Sequence, residues 1–172
     1  MTDTNQTSPI RARFDAQRSI DFARSELFER TFKEGMALVE ETAAYLDGPG
    51  RVASKRLSRT AALAYAGESM RLTTRLMQVA SWLLVQRAMR DGEIQHAEAA
   101  SEKYRLIARE NAPPAPFAGS DELPETLKAL ITRGGAIYER VRRLDETMYE
   151  GGETAANPVS DQLSKLQQAF GR

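Results

Sequence analysis

The side chains that could perform chemistry are few in this chain. There is one histidine, His96, and no cysteine, which excludes a zinc site built from these ligands. Adjacent carboxylates occur at Glu40-Glu41 and Asp121-Glu122, but neighbours on a helix point in different directions and form no catalytic pair. No Glu-x-x-His pair and no glycine-rich phosphate loop is present. We therefore expect no catalytic residue, metal or cofactor, and an exposed, non-functional His96. A carboxylate-only metal site is the one enzymatic alternative left open.

Charged residues offer two candidate binding sites instead. Glu68 and Arg71 are three residues apart, with Arg75 one turn further along. They form either an exposed ladder of charges or an ordered polar network at a helix seam. The second candidate is a basic connection between two predicted helices, formed by Arg51, Lys55, Arg56 and Arg59. It is either a solvated loop or a docking site for an acidic surface.

A third candidate binding site lies at the end of the sequence. Val159, Leu163, Leu166 and Phe170 are spaced by four, three and four residues, which predicts a short helix with one apolar face. Helices of this length are marginal in water when isolated. We expect this tail to fold either on a partner protein, by helix-in-groove recognition, or back on the rest of the chain.

Composition limits the broad class of protein. Acidic and basic residues number 24 each among 172, giving zero net charge and a pI near 6.6. A dedicated nucleic-acid binder usually has a strong basic excess, so an acidic protein is a better partner than DNA. The absence of cysteine suits a reducing compartment. No segment has the ~20 consecutive apolar residues of a membrane span, and the N-terminus lacks the apolar core of a signal peptide. The expected location is the cytoplasm.

Four segments carry the three-and-four spacing of apolar residues that is typical of helices. Their predicted bounds are Ser19 or Ser25 to Asp47, Ser58 to Arg90, Gln95 to Arg109, and Asp121 to Tyr149. Serine caps, glycine-proline breaks and the prolines of residues 111–116 separate them. No strand pattern is present. The sequence predicts an all-α antiparallel bundle of three long helices plus one short helix.

These elements divide the chain into three parts. Residues 1–18 are predicted to be a disordered arm, or alternatively a charged helical lead-in from about Ile10. Residues 19–150 form the helical bundle domain. Residues 151–172 are a flexible linker followed by the short amphipathic tail.

The second long helix is unusual because it has two apolar stripes rather than one. One comprises Leu63, Ala66, Met70, Thr73, Met77, Ala80 and Leu84, and the other Ala62, Tyr65, Ser69, Leu72, Leu76, Val79 and Leu83. Such a helix must be covered on several sides. We predict that it is the central helix, packed within the bundle or at a dimer interface. On the first helix one predicted apolar face is Phe28, Phe32, Gly35, Val39, Thr42 and Leu46, and a second, thinner row is Leu27, Leu38 and Tyr45.

Two long stretches resemble a known family. They are EGMALVEETAAYLDGPGR, residues 34–51, and ESMRLTTRLMQVASWLLVQRA, residues 68–88. Both are similar to the alphaproteobacterial RcdA family, the regulators of CtrA degradation.

The resemblance implies a helical-bundle homodimer without enzymatic activity that acts as an adaptor of regulated proteolysis. Members of the family help deliver cell-cycle regulators, including CtrA, to the ClpXP protease. They act together with a single-domain response regulator, CpdR, and a cyclic-di-GMP-binding adaptor, PopA, and they gather at a cell pole. No catalytic residue is carried over. The alternative function is a helical DNA-associated or scaffolding regulator with no role in proteolysis.

Overall fold

The computed structural model describes residues 13, 17–19, 21–106 and 115–149. Three long helices form the bundle, and two short helices join or follow them. They are α1 (Glu26–Asp47), α2 (Pro49–Ser54), α3 (Arg59–Arg90), α4 (His96–Ala99) and α5 (Glu125–Tyr149). Two turns of 3-10 helix occupy Glu102–Tyr104 and Ser120–Glu122. None of the described residues lies in a strand, and the all-α prediction is confirmed.

The predicted serine caps account for where the helices begin. Ser25 Oγ accepts a hydrogen bond from the Phe28 amide at 3.2 Å, and Ser58 Oγ accepts one from the Ala61 amide at 3.2 Å. Each bond satisfies an amide that has no partner inside its helix. Gly48 ends α1, but Pro49 then starts α2, since proline suits the first helical position. The basic connection was predicted as a loop, but its first residue, Arg51, lies within α2.

The centre of the molecule is α3, which packs against both α1 and α5. Glycines bring the three backbones together. A Cβ atom added at Gly35 of α1 would lie 2.8 Å from Leu83 Cδ1 and 3.3 Å from Ile137 Cδ1. One added at Gly134 of α5 would lie 2.5 Å from Leu72 Cδ1. Gly134 thus permits the close approach of another helix.

The buried face of α1 draws on both rows predicted for it: Phe28, Gly35 and Thr42 come from the first row, and Leu38 and Tyr45 from the second. Phe32, Val39 and Leu46 of the first row are only half-buried. The predicted helix from Gln95 to Arg109 is helical only as α4 and one 3-10 turn, and its last residues lie outside the described part. This polar segment buries little besides Ala99 and Leu106, so few tertiary contacts hold it in a continuous helix.

The ends of the chain are described only in part. Arg13 and residues 17–19 and 21–23 are helical, and Ser19 and Ala23 are buried. Most of the predicted N-terminal arm and the whole of 151–172, including Val159, Leu163, Leu166 and Phe170, lie outside the described residues. Among the helices of the described part, none combines the length and hydropathy that crossing a membrane requires.

Candidate protein-binding surface

One face of α3 is apolar and uncovered. Leu63, Met70, Met77 and Leu84 have 68%, 72%, 67% and 51% of their surface exposed, and each is seven residues from the next. We call these four residues the α3 stripe. Large apolar side chains are usually scattered singly on a protein surface, so an aligned row of four is a candidate site of contact with another molecule. The predicted stripe on this helix is real, but within one chain nothing described covers it.

The face around the α3 stripe carries no charge. The exposed residues of α3 from Leu63 to Leu84 are the stripe itself with Ala66, Thr73, Thr74, Gln78 and Ser81. This absence is notable because 28% of all residues in the chain are charged. The charged residues of this part of the helix, Glu68, Arg71 and Arg75, lie to the side and are half-buried. An uncharged apolar face is suited to dry contact with another apolar surface.

Glu68 and Arg71 form an ordered network rather than an exposed ladder. Arg71 Nη1 lies 3.2 Å from Glu68 Oε1 and donates a second bond to the Ala115 carbonyl at 3.2 Å. Its guanidinium stands 3.9 Å from the centre of the Phe117 ring. A Cβ at Gly67 would meet that ring at 2.5 Å. The network therefore attaches the loop before α5 to one flank of α3, next to the stripe.

The basic connection leads into the Leu63 end of the stripe. Arg51 makes a long, exposed ion pair with Asp47 at 3.7 Å. Lys55, Arg56 and Arg59 are exposed, and none has an ion-pair partner among the described residues. The first turn of α3 contains no acidic residue, so the partial positive charge of the helix N-terminus adds to these cations. The result is a concentration of positive charge that an acidic surface could neutralise.

Among the described residues, the side chains that could act in catalysis or bind a metal ion do not lie together in one site. No group of three or more histidine or acidic side chains in the described part could hold a metal ion. Glu41 accepts a hydrogen bond from Arg133 at 2.7 Å, and this bond lowers the pKa of the carboxyl group. Asp121 and Glu122 are exposed in a 3-10 turn. Glu41 thus belongs to a surface ion pair, and Asp121 and Glu122 face solvent.

His96 differs from the prediction that it would be exposed. It is half-buried at the start of α4, with Nε2 3.1 Å from Ser19 Oγ. Its ring centre lies 5.6 Å from that of Tyr149. His96 thus connects the helical residues before α1 with the end of α5, which is a structural role.

The most buried charge was not predicted. Asp145 is 1% exposed, and its carboxylate accepts hydrogen bonds from Trp82 Nε1 at 2.8 Å and from Arg105 Nε at 2.9 and 3.0 Å. Next to it, Gln86 donates to the Tyr149 hydroxyl at 3.1 Å, and burial raises the pKa of Tyr149. A signal for it was present, because Asp145 continues the four-residue spacing of Ile137 and Val141 on the core face of α5.

Comparisons with known proteins agree with this architecture. A family described as "Protein of unknown function (DUF1465)" matches residues 19–170. RcdA from Caulobacter crescentus CB15, which has a crystal structure, is 60% identical in sequence to this chain. The two structures match with a TM-score of 0.61. The match covers 76% of this chain and 97% of that chain. The chain belongs to the RcdA family. No curated protein matches it.

Both stretches that resemble the RcdA family lie in the helices that build the surface. Residues 34–51 span the second half of α1 and the start of α2, and residues 68–88 span most of α3. The α3 stretch contains Met70, Met77 and Leu84 of the stripe together with the buried Leu76 and Trp82. The RcdA-like sequence thus includes an exposed face as well as the core.

Proposed function

We propose that this RcdA-family chain is a non-enzymatic adaptor in regulated proteolysis. It helps deliver cell-cycle regulators such as CtrA to the ClpXP protease, together with CpdR and PopA, and it gathers with them at a cell pole. The protein acts as a homodimer. The observation that carries the proposal is the α3 stripe: a chain with 60% identity to RcdA exposes an uncharged apolar face and no described cluster of catalytic groups.

An adaptor needs surfaces rather than reactive groups. Holding a substrate and a protease at the same time raises their mutual concentration to about the millimolar range, so each separate contact can be weak. The α3 stripe offers apolar contact, and Lys55, Arg56 and Arg59 offer attraction to an acidic partner. The predicted tail, Val159 to Phe170, offers a third contact of the helix-in-groove type.

A reconstituted degradation assay tests the adaptor role. CtrA, ClpXP, CpdR and PopA are mixed with and without the full chain, and the loss of CtrA is followed over time. We expect faster degradation with the chain and no change for a ClpXP substrate that needs no adaptor. Equal rates of CtrA loss in both mixtures would refute the proposal. Metal analysis of the purified protein, which should find no stoichiometric ion, tests the absence of a metal-dependent activity.

Two variants locate the binding surfaces in the same assay. Lys55→Glu with Arg59→Glu should slow CtrA loss and make its rate less sensitive to salt concentration, since salt screens the attraction between exposed charges. Arg30→Glu with Lys33→Glu, which makes the same change of charge on an exposed part of α1, is the control. A chain cut after Glu150 should keep its helical circular dichroism and lose part of the acceleration. Full acceleration by the shortened chain would exclude a role for the tail.

A further inference from the structure

The buried carboxylate of Asp145 and the ring of Tyr149 form a site for an arginine side chain at one end of the bundle. The site holds Arg105, which comes from the segment that follows α4. We propose that it recognises an extended peptide in which arginine precedes a large apolar residue, and that Arg105 and Leu106 occupy it as a displaceable internal ligand. The inference goes beyond the proposed function and does not depend on the adaptor role.

The helices α3 and α5 build this site without Arg105. Trp82 Nε1 of α3 donates a hydrogen bond to Asp145 Oδ1 at 2.8 Å, and Gln86 of α3 donates one to the Tyr149 hydroxyl at 3.1 Å. Trp82 is 1% exposed and Gln86 is 0% exposed, so both donors are fixed in the core. Because these bonds join two long helices, the carboxylate and the ring should keep their positions when the segment carrying Arg105 leaves.

The site matches the chemistry of a guanidinium group. Arg105 Nε lies 3.0 and 2.9 Å from the two carboxylate oxygens of Asp145, and Arg105 Cζ lies 4.8 Å from the centre of the Tyr149 ring. A guanidinium bonds to a carboxylate through several N–H groups and also stacks on an aromatic face, whereas an ammonium is a compact, strongly hydrated charge. The site should therefore prefer arginine to lysine.

Arg105 and Leu106 have the form of a bound peptide. The backbone at Arg105 is extended, with φ −73° and ψ 145°. Leu106 follows outside any regular element, is 6% exposed and belongs to the main apolar core. Successive side chains of an extended chain point in different directions, so the arginine reaches the carboxylate while the leucine enters the core. Recognition of extended peptides commonly uses such anchoring side chains.

Few other contacts hold the segment in place. Among residues 91–106, Ala99 and Leu106 are the only buried ones, and His96 adds a contact with Ser19 Oγ at 3.1 Å. Sparse burial is typical of segments that open locally while the rest of a protein stays folded. When this segment opens, water reaches both Arg105 and Asp145, so opening leaves no buried charge without a partner. An external peptide can then take the place of the internal ligand.

Peptide complementation tests the site. Arg105→Ala with Leu106→Ala removes the internal ligand, and the probe is a capped peptide with the sequence of residues 101–107. The peptide should bind this variant and change the fluorescence of Trp82, which is the single tryptophan and is bonded to Asp145. The same peptide with citrulline in place of arginine keeps the shape without the charge and should bind at least about tenfold more weakly. Equal binding of the two peptides would contradict the proposal.

A third substitution locates the bound peptide. Asp145→Asn, added to the double variant, should weaken binding at least about tenfold, because it removes the charge that faces the arginine. Glu139→Gln, at an exposed carboxylate of the same helix, is the control and should leave binding unchanged. If Asp145→Asn has no effect, the peptide binds elsewhere and the proposal is wrong. Should the double variant fail to fold by circular dichroism, Leu106→Ala alone serves instead and should bind the peptide more tightly than the native chain does.

The native chain tests displacement. Its internal ligand competes at an effective concentration of about millimolar, so the peptide should bind at least about tenfold more weakly than to the double variant. Bound peptide should speed hydrogen exchange at amides bonded within the segment, such as that of Tyr104, which donates to the Ser101 carbonyl at 2.9 Å. Amides in the middle of α3 should be unaffected. Binding to the variant without binding to the native chain at millimolar peptide would show that Arg105 is a fixed part of the fold, and no binding to either would remove the site. Both results overturn the proposal.

Discussion

The two faces of α3 are equally apolar in sequence and opposite in environment. Leu72, Leu76, Val79 and Leu83 are at most 3% exposed, whereas Leu63, Met70, Met77 and Leu84 are at least half exposed. What separates them is the neighbour each face has, because α1 and α5 cover one face and nothing in the described part covers the other. The difference teaches that one helix can hold the fold together with one face and keep the other for assembly.

The polar side chains of α3 also differ between its covered and its uncovered face. On the covered side, Trp82 and Gln86 reach across to Asp145 and Tyr149 of α5. On the uncovered side, Thr73 and Thr74 bond only to the backbone of their own helix. Changes on the covered face should therefore alter the free energy of unfolding, and changes on the α3 stripe should alter association instead.

The largest loss of stability is expected at Asp145. Asp145→Asn keeps the shape of the side chain but removes the negative charge that faces the Arg105 guanidinium, in a site where both side chains are mostly buried. Breaking such a pair costs about 3–5 kcal/mol. Glu139→Gln, which removes an exposed partner of Arg142, should cost less than about 1 kcal/mol. Urea unfolding, followed through the single Trp82, measures both, and equal losses would show that burial of the pair is unimportant.

Leu76 and Met77 provide a direct test, because they are neighbours on opposite faces of one helix. Leu76→Ala empties a site that is 3% exposed and should lower the free energy of unfolding by about 2–5 kcal/mol. Met77→Ala, at a residue 67% exposed, should change it by about 0.5 kcal/mol or less when dimer formation is suppressed by dilution. Similar losses in dilute samples would mean that Met77 is covered within its own chain.

The adjacent glycines of α5 should respond in opposite directions. A Cβ at Gly134 would lie 2.5 Å from Leu72 Cδ1, so Gly134→Ala should overpack the core and cost about 1–3 kcal/mol. A Cβ at Gly135 meets nothing within 4 Å. Gly135→Ala should therefore stabilise the helix by up to about 1 kcal/mol. Thermal unfolding compares the two, and a stabilising Gly134→Ala would contradict the close packing of α3 on α5.

Local chemistry made the long helices predictable. Ser25 and Ser58 are caps whose hydroxyls bond to amides three residues later, and the helix α1 ends at Gly48 and Pro49. These signals depend on residues close in sequence. The segment after Gln95 was predicted as one helix and is not, because its spacing was weak and only distant contacts, such as that of Arg105 with Asp145, fix its shape.

Predictability of the candidate site follows the same rule. The α3 stripe could be read from spacing, since it belongs to one helix, but its exposure could not, because that depends on where α1 and α5 pack. The fixed position of the Glu68–Arg71 pair could not be predicted either, because it depends on contacts of Arg71 with Ala115 and Phe117, more than forty residues away. Asp145 had a usable signal in the register of α5, although a charge in an apolar seam was more easily read as a surface residue.

The smallest effect on the free energy of unfolding is expected at alkaline pH. It should also differ between the covered and the uncovered face of α3. Burial raises the pKa of Tyr149 and of Tyr45 above the ordinary value of about 10. Above pH 10 the unfolded chain loses these protons while the folded chain keeps them, so stability present below pH 10 falls as pH rises through the folded pKa. Tyr149→Phe should make that fall shallower.

The α3 stripe contains no titratable group, so the dimer mass should be the same at pH 7 and pH 9, while urea unfolding at a series of pH values shows the loss only above pH 10. An unfolding free energy that stays level up to pH 11 would mean that Tyr149 ionises as readily in the folded chain as in the unfolded one. The hydroxyl that Gln86 holds would then be open to water, and the covered face of α3 would be less closed at its C-terminal end than its 0% exposed Gln86 indicates.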